Sequence, residues 1–93
     1  MAFDKNKAVE RAREDLAKRL KLSEKDIKLS SVSEKEFPDM SLGAPAEGEM
    51  SGQMISSGWE ISLSAEGKSF EYRADKYQLR LRGYKGKNHI IES

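Results

Sequence analysis

Residues 55–64 read Ile-Ser-Ser-Gly-Trp-Glu-Ile-Ser-Leu-Ser, and apolar side chains alternate there with polar or small ones. A period of two places successive side chains on opposite faces of an extended chain. One face of this stretch carries Ile55, Ser57, Trp59, Ile61 and Leu63. The pattern therefore predicts a β-strand in a sheet that has one apolar face and one polar face.

The chain after this strand repeats the alternation. Ala65-Glu66-Gly67-Lys68 is typical of a hairpin turn that needs a positive φ at glycine. The next two strands are expected to place six side chains inward, namely Phe70, Tyr72, Ala74, Tyr77, Leu79 and Leu81. A turn over residues 83–88 and a short strand at residues 89–91 complete an antiparallel meander of four or five strands.

The chain before residue 38 supplies a helix and a first strand. Residues 4–21 place Ala8, Val9, Ala12, Leu16 and Leu20 in one apolar stripe, which predicts a helix lying across the apolar face of the sheet. Residues 27–37 read as a first strand in which Val32 falls out of phase with Ile27 and Leu29. A bulge near Ser30–Ser31 explains this, and an exposed edge position is the alternative. The predicted fold is thus α+β: an N-terminal helix on a four- to five-stranded antiparallel meander, forming a single domain over residues 1–93.

A long loop, residues 38–53, separates the first strand from the second. The stretch from residue 37 to residue 59 holds both prolines, four of the seven glycines, three of the four methionines and the only tryptophan. A loop of this length in a small domain is usually functional or disordered. Its apolar side chains favour an ordered loop that packs, in part, on itself or on the sheet.

Composition excludes several classes of protein. The 93-residue chain has no cysteine, which rules out disulfide scaffolds and thiolate metal sites. Its longest apolar runs fall far short of the ~18 residues that a membrane span requires. We expect a cytoplasmic protein with no membrane segment, monomeric or weakly dimeric through the exposed edge strand.

Catalytic and metal-binding patterns are weak in this sequence. His89 is the lone histidine, and no nucleophile-elbow or glycine-rich phosphate loop is present. Glu47 and Glu49 lie in an acidic loop, and Asp39 could join them at a hard cation, but the spacing of a calcium loop is absent. We therefore expect no catalytic residue, no metal site and no cofactor. A small enzyme using the loop carboxylates is the least favoured hypothesis.

A basic surface offers an alternative function. Residues 31–67 carry one basic and seven acidic side chains, whereas residues 68–93 carry seven basic and three acidic ones. Arg73, Arg80 and Arg82 are predicted on the polar face of one hairpin, with Lys85 nearby. Such a face could bind nucleic acid or another anionic ligand, although cross-strand ion pairs explain it more simply.

Two resemblances add to this interpretation. The segment Gln53–Gly58 resembles the glutamine-x-valine-x-glycine loop of cystatins, which inhibit cysteine proteases and lay a helix across an antiparallel sheet. It departs from that motif by one extra residue before Gly58, and no clear strand with an inhibitory glycine precedes the helix. The proline-tryptophan pair of the second cystatin loop is also missing where Asp75-Lys76 stands. The resemblance implies a cystatin-like fold and occlusion of a protease cleft without a covalent step.

The second resemblance covers most of the chain. It extends from Asp15-Leu16-Ala17 with Arg19-Leu20 in the helix, through the loop, to Gln53-Met54-Ile55 with Gly58-Trp59 and to Phe70-Glu71-Tyr72. Phe37-Pro38-Asp39 followed by Ser41-Leu42-Gly43-Ala44-Pro45 is similar to the loop of a family of small, functionally uncharacterised prokaryotic domains, which often carry tryptophan at the position of Phe37 and cysteine at that of Ala44. This resemblance implies that the loop is the signature of the family, and alanine at position 44 argues against thiol chemistry.

The sequence thus favours a non-enzymatic module that binds an unknown protein or peptide through residues 38–58, with a protease inhibitor as one form of it. The predicted binding residues are Pro38, Asp39, Met40, Leu42, Gln53, Met54, Ile55, Ser56, Ser57, Gly58 and Trp59. Met50 is expected to be presented with them, because methionine suits adaptable contact surfaces.

Overall fold

The computed structural model describes residues 3–50 and 52–93, so Ser51 of the predicted loop lies outside the described residues, as do the first two residues. The elements are α1 (Lys5–Leu20), a short 3₁₀ helix (Glu24–Asp26), β1 (Lys28–Phe37), β2 (Ser56–Ala65), β3 (Lys68–Ala74), β4 (Leu79–Tyr84) and β5 (Lys87–Glu92). The strands form one antiparallel sheet in the order β1-β2-β3-β4-β5. The predicted α+β meander is therefore confirmed.

Helix α1 begins and ends where its sequence predicts. The carboxylate of Asp4 accepts a hydrogen bond from the backbone N–H of Lys7 at 2.8 Å, which satisfies one free donor of the first turn. Lys21 adopts a left-handed conformation with φ of 58°, and the N–H of Leu22 donates to Ala17 O at 2.9 Å. This closing pattern is a common helix end.

The main core lies between α1 and the inner face of the sheet, which we define as the face that α1 covers. It consists of Ala8, Val9, Ala12, Leu16 and Ala17 from the helix and Ile27, Ile61, Leu63, Ala65, Tyr72, Ala74, Leu79 and Leu81 from the rest of the chain. The buried hydroxyl of Tyr72 donates to Asp15 at 2.7 Å. Burial, together with this carboxylate, raises the pKa of Tyr72 well above its usual value.

The predicted bulge in β1 is present and redirects the end of the strand. The register shifts between Leu29 and Ser31, so that Val32 faces Ile61 on the inner side. The same shift sends Phe37 to the outer face, where it is fully buried. The bulge therefore reconciles the apolar pattern of β1 and also supplies an apolar anchor outside the main core.

Two predicted inward side chains are instead exposed. Tyr77 is 73% exposed because it sits in the β3–β4 turn, where the carboxylate of Asp75 accepts the N–H groups of Tyr77 and Gln78 at 2.8 and 2.9 Å. Ile55 is 69% exposed because β2 begins one residue after it. Both corrections place apolar side chains at the same end of the sheet.

Candidate functional site

The connection between β1 and β2 has two parts with opposite character. Residues 38–49, which we call the strap, lie across the outer face of the sheet, and Ser41, Leu42 and Ala44 are buried there. Residues 52–57, which we call the end segment, are largely exposed. The expectation that the long loop packs partly on the sheet is met by the strap.

Asp39 organises the first turn of the strap. Its Oδ1 accepts hydrogen bonds from the Ser41 hydroxyl at 2.6 Å and from the N–H groups of Ser41 and Gly43, both at 3.0 Å. The bond from the Ser41 hydroxyl and the backbone bond from Gly43 lower the pKa of Asp39. Its carboxylate is thus engaged within the strap, although the sequence placed it among the partner-contacting residues.

Side chains of the sheet hold the main-chain carbonyls of the strap. Gln78 Nε2 donates to Met40 O at 2.6 Å, Arg73 Nη1 to Leu42 O at 2.9 Å, Arg80 Nη1 to Ala44 O at 3.1 Å and Asn88 Nδ2 to Pro45 O at 2.9 Å. These donors come from the β3–β4 turn and from β3, β4 and β5. The strap is therefore bound across the sheet much as a peptide would be, through its backbone.

The far end of the strap is closed by an ion pair between Glu49 and Arg80. The two guanidinium nitrogens of Arg80 donate to the two carboxylate oxygens of Glu49, one of them at 2.7 Å. The Arg80 side chain is only 5% exposed and that of Glu49 is 23% exposed. The bonds from Arg80 lower the pKa of Glu49 despite its burial, which acts in the opposite direction.

Arg73 lies beneath the middle of the strap. Its guanidinium carbon stands 5.4 Å from the centre of the Phe37 ring, and its Nε donates to Glu71 at 2.6 Å. A Cβ at Gly43 would stand 2.6 Å from Arg73 Nη1, so glycine lets the strap approach the guanidinium. The neighbouring Glu60 bonds with Lys35 at 2.9 Å, and this bond is the main reason that the pKa of Glu60 is lowered.

The predicted basic face is thus largely covered. All three arginines project from the outer face, but the strap buries Arg73 and Arg80 and satisfies their donors. Arg82 and Lys85 stay exposed, and Arg82 pairs with Glu71 at 3.3 Å. Cross-strand and strap ion pairs, rather than an open cationic surface, account for most of this charge.

An apolar depression of about 230 Å³ lies at the end of the sheet where the end segment meets the β3–β4 turn. Its apolar walls are Met40, Met54, Ile55 and Tyr77, and its polar lining is Ser56, Ser57, Asp75 and Lys76. We call this depression the apolar end. Both main-chain polar groups of Met40 are bonded, its N–H to Gly52 O at 3.0 Å and its carbonyl to Gln78. The backbone that carries this methionine is therefore fixed.

A second groove, of about 450 Å³, adjoins the apolar end. It is lined by Glu34, Lys35, Glu36, Ser57, Gly58, Trp59 and Lys76. Ser57 and Lys76 line both depressions, so the two are continuous. We call this second depression the Trp59 groove. A Cβ on Gly58 would stand 2.0 Å from Ala74 O, so glycine there serves close packing between β2 and the end of β3.

The structure brings together some of the residues predicted to bind and separates others. Met40, Met54, Ile55, Ser56 and Ser57 line the apolar end, and Gly58 and Trp59 line the adjoining groove. Leu42 is fully buried and faces the sheet, while Pro38 and Gln53 are exposed outside both linings.

Sequence reasoning missed six lining residues, namely Glu34, Lys35, Glu36, Asp75, Lys76 and Tyr77. For Tyr77, the sequence does contain a signal that predicts an exposed position. Asp75 is a favoured first residue of a β-turn, and a four-residue turn from Asp75 to Gln78 places Tyr77 at its tip.

Three further observations concern metal binding, membrane-spanning helices and similarity to known proteins. Within residues 3–50 and 52–93, no group of three or more His, Asp or Glu side chains is arranged to hold a metal ion. No helix of the described chain is long and apolar enough to cross a membrane. No curated protein and no solved structure matches the sequence, so the resemblance to cystatins stays a prediction.

One family model does match. The model of the domain of unknown function DUF8738 covers residues 9–82, from the first turns of α1 to β4, and so includes the strap and the end segment. The expectation of an uncharacterised domain family is met, while the particular loop motif quoted for it stays a prediction. The chain belongs to the DUF8738 family.

Proposed function

We propose that this chain is a non-enzymatic module that binds a protein or peptide at the apolar end. The observation that carries the proposal is the clustering of exposed apolar side chains there. Over the described residues, the exposed large apolar side chains are Leu29, Met40, Met50, Met54, Ile55, Tyr77 and Ile90. Four of these seven line a single depression, in a chain whose mean hydropathy is −0.77.

Exposed apolar side chains gathered in one place are typical of contact surfaces, whereas single ones are common everywhere. Methionine adapts to partners of different shape, and tyrosine adds a large area with little conformational entropy to lose. The backbone behind these side chains is fixed, by the two hydrogen bonds of Met40 and by the Asp75 turn that carries Tyr77. Fixed contact residues lower the entropic cost of association.

Apart from Met40, the strap supports this site and does not itself contact the partner. Leu42, which the sequence grouped with the binding residues, is buried against the outer face, and Asp39 is engaged within the strap. The covering of Arg73 and Arg80 also removes most of the surface on which nucleic-acid binding was predicted. The binding function accordingly rests on the end segment, Met40 and the β3–β4 turn.

A selection from a displayed library of random dodecapeptides tests the proposal. We expect peptides selected on the wild-type protein to lose at least about tenfold in affinity for a Met54→Ser/Tyr77→Ser variant, equivalent to about 1.4 kcal/mol. The matched control is Ile90→Ser, which removes an exposed apolar side chain of β5 away from the site. Failure to select any peptide, or equal binding to the Met54→Ser/Tyr77→Ser variant, would contradict the proposal.

A protease inhibitor is the more specific form of this hypothesis. The N–H of Phe3 donates to Lys76 O at 2.7 Å, so the residues just before α1, the β3–β4 turn and the Gln53–Gly58 segment meet at one end of the sheet. Three segments at one end could block a cleft without a covalent step. Inhibition of papain by micromolar protein would support this form, and its absence would remove it while leaving peptide binding to be judged by the library.

A further inference from the structure

We propose that the apolar end and the Trp59 groove act as one two-part site. This site binds a peptide segment that carries a lysine or arginine close to an apolar side chain. The apolar side chain occupies the apolar end, and the cationic side chain lies against Trp59 between Glu34 and Glu36. This inference rests on the proposed function and specifies the chemistry of its partner.

The position of Trp59 favours a cationic ligand. Its indole is half-buried, packs against the main core on one side and lines the groove on the other. In the register of β1 with β2, Glu34 stands opposite Trp59 and Glu36 stands opposite Ser57. Tryptophan is the best aromatic partner of a cation, and carboxylates beside it add charge-assisted hydrogen bonds to a guanidinium or ammonium group.

These two carboxylates differ from the other carboxylates of the sheet in their lack of an ion pair among the described residues. Within residues 3–50 and 52–93, neither Glu34 nor Glu36 takes part in an ion pair, whereas Glu49, Glu60 and Glu71 on the outer face are all paired. Lys35, although it lines the groove, bonds with Glu60 on the outer face at 2.9 Å. Lys76 is then the remaining cation of the lining, so two carboxylates and one ammonium group leave the groove with one negative charge in excess.

Lys76 marks the junction of the two depressions. It lines both of them, and the bond from Phe3 N to its carbonyl fixes its backbone. The residue is exposed, and in the proposed complex its ammonium group donates to a carbonyl of a peptide that crosses from one depression to the other. An extended peptide advances about 3.3 Å per residue with side chains alternating in direction, so neighbouring or next-but-one side chains reach both depressions.

The experiment repeats the dodecapeptide selection on charge-altered proteins. The test variants are Glu34→Gln/Glu36→Gln and Glu34→Lys/Glu36→Lys. The control is Glu24→Lys/Glu66→Lys, which makes the same charge change as the lysine variant at exposed positions outside both linings. Thermal unfolding of each protein establishes that it is folded. All four substituted side chains are exposed, so we expect the variants to fold.

We expect wild-type binders to be enriched in lysine or arginine next to leucine, phenylalanine or methionine. Their affinity should fall roughly tenfold on Glu34→Gln/Glu36→Gln, in line with the loss of a desolvated cation site. On Glu34→Lys/Glu36→Lys the selected peptides should become acidic, while the control protein should select the wild-type set.

Two outcomes would overturn the inference, and they are distinguishable. Binders that need Met54 and Tyr77 but lack basic residues, and that bind the lysine-substituted protein equally well, would refute the two-part site and leave the proposed function intact. A selection that yields no peptide dependent on Met54 and Tyr77 would refute both.

Discussion

Replacing Glu49 by glutamine should destabilise the whole domain, because it leaves a buried guanidinium without its counter-charge. Glu49 is the carboxylate that bonds both terminal nitrogens of Arg80, and the Arg80 side chain is 5% exposed. The same carboxylate accepts the N–H of Ala46 at 3.1 Å, which shapes the last turn of the strap. Glu49→Gln keeps the size of the side chain and removes the charge.

The size of the expected loss in the free energy of unfolding depends on the hydrogen bonds that Arg80 keeps in the variant. Breaking a fully buried ion pair from one side costs about 3–5 kcal/mol, and a hydrogen bond to a charged group is worth about 1.5–3 kcal/mol. Glu49 is partly exposed, and Arg80 keeps its bonds to Ala44 O and to Gln78 Oε1 at 2.7 Å. We therefore expect the lower end of these ranges, a loss of about 2 kcal/mol in the free energy of unfolding and a fall of about 10 °C in Tm.

Urea denaturation followed by circular dichroism, with Glu47→Gln as control, measures this loss. Glu47 lies two residues earlier in the same strap, but it is 88% exposed and stands 3.9 Å from Lys87. An exposed pair of this kind contributes little, so Glu47→Gln should change the free energy of unfolding by less than about 0.5 kcal/mol. If the two variants are equally stable, Glu49 does not neutralise a buried charge and the strap is not held as described.

Three further outcomes test the same account of the strap. Leu42→Ala should cost about 2–3 kcal/mol in thermal unfolding because it empties a buried site, whereas Met50→Ala, at a 97% exposed position, should be nearly neutral. Gly58→Ala should lower the free energy of unfolding by about 3 kcal/mol, since its Cβ would overlap the backbone of β3. The lowered pKa values of Asp39 and Glu49 predict stability that is fully present above their ordinary values of 3.8 and 4.5 and is lost as pH falls through the lower folded-state values. Acid unfolding curves should show that loss, and Glu49→Gln should make it shallower; an unchanged slope would contradict the assignment.

The sheet and the helix were predictable because apolar side chains recur in each of them with a short, regular spacing. The alternation from residue 55 onward and the helical stripe of α1 both describe one apolar face, and two apolar faces in one short chain must meet. The bulge in β1 was predictable for a related reason, since Val32 could join the inner face only by a shift of register near Ser31.

The outer face was not predictable in the same way. Phe37, Leu42 and Ala44 are buried there, outside the main core, but they come from a strand end and an irregular strap and follow no period. Arg73 and Arg80 occupy polar positions in the alternation, and nothing in that pattern distinguishes an exposed arginine from one covered by a loop. Whether a loop covers an arginine depends on contacts between residues that are distant in the sequence. Arg73 and Leu42, for example, are 31 positions apart.

The strap also explains why an apolar surface can be held at the end of so small a sheet. The guanidinium groups beneath it are matched by Glu49, Glu60 and Glu71 and by strap carbonyls, so the covered face carries little uncompensated charge. Buried ion pairs of this kind add little net stability, yet they penalise any arrangement that leaves one partner unpaired. The strap is thereby confined to one path over the sheet, and Met40, near the start of that path, has a side chain that lines the apolar end. The polar network on the outer face and the proposed binding site are consequently parts of one arrangement, in which the first fixes the geometry of the second.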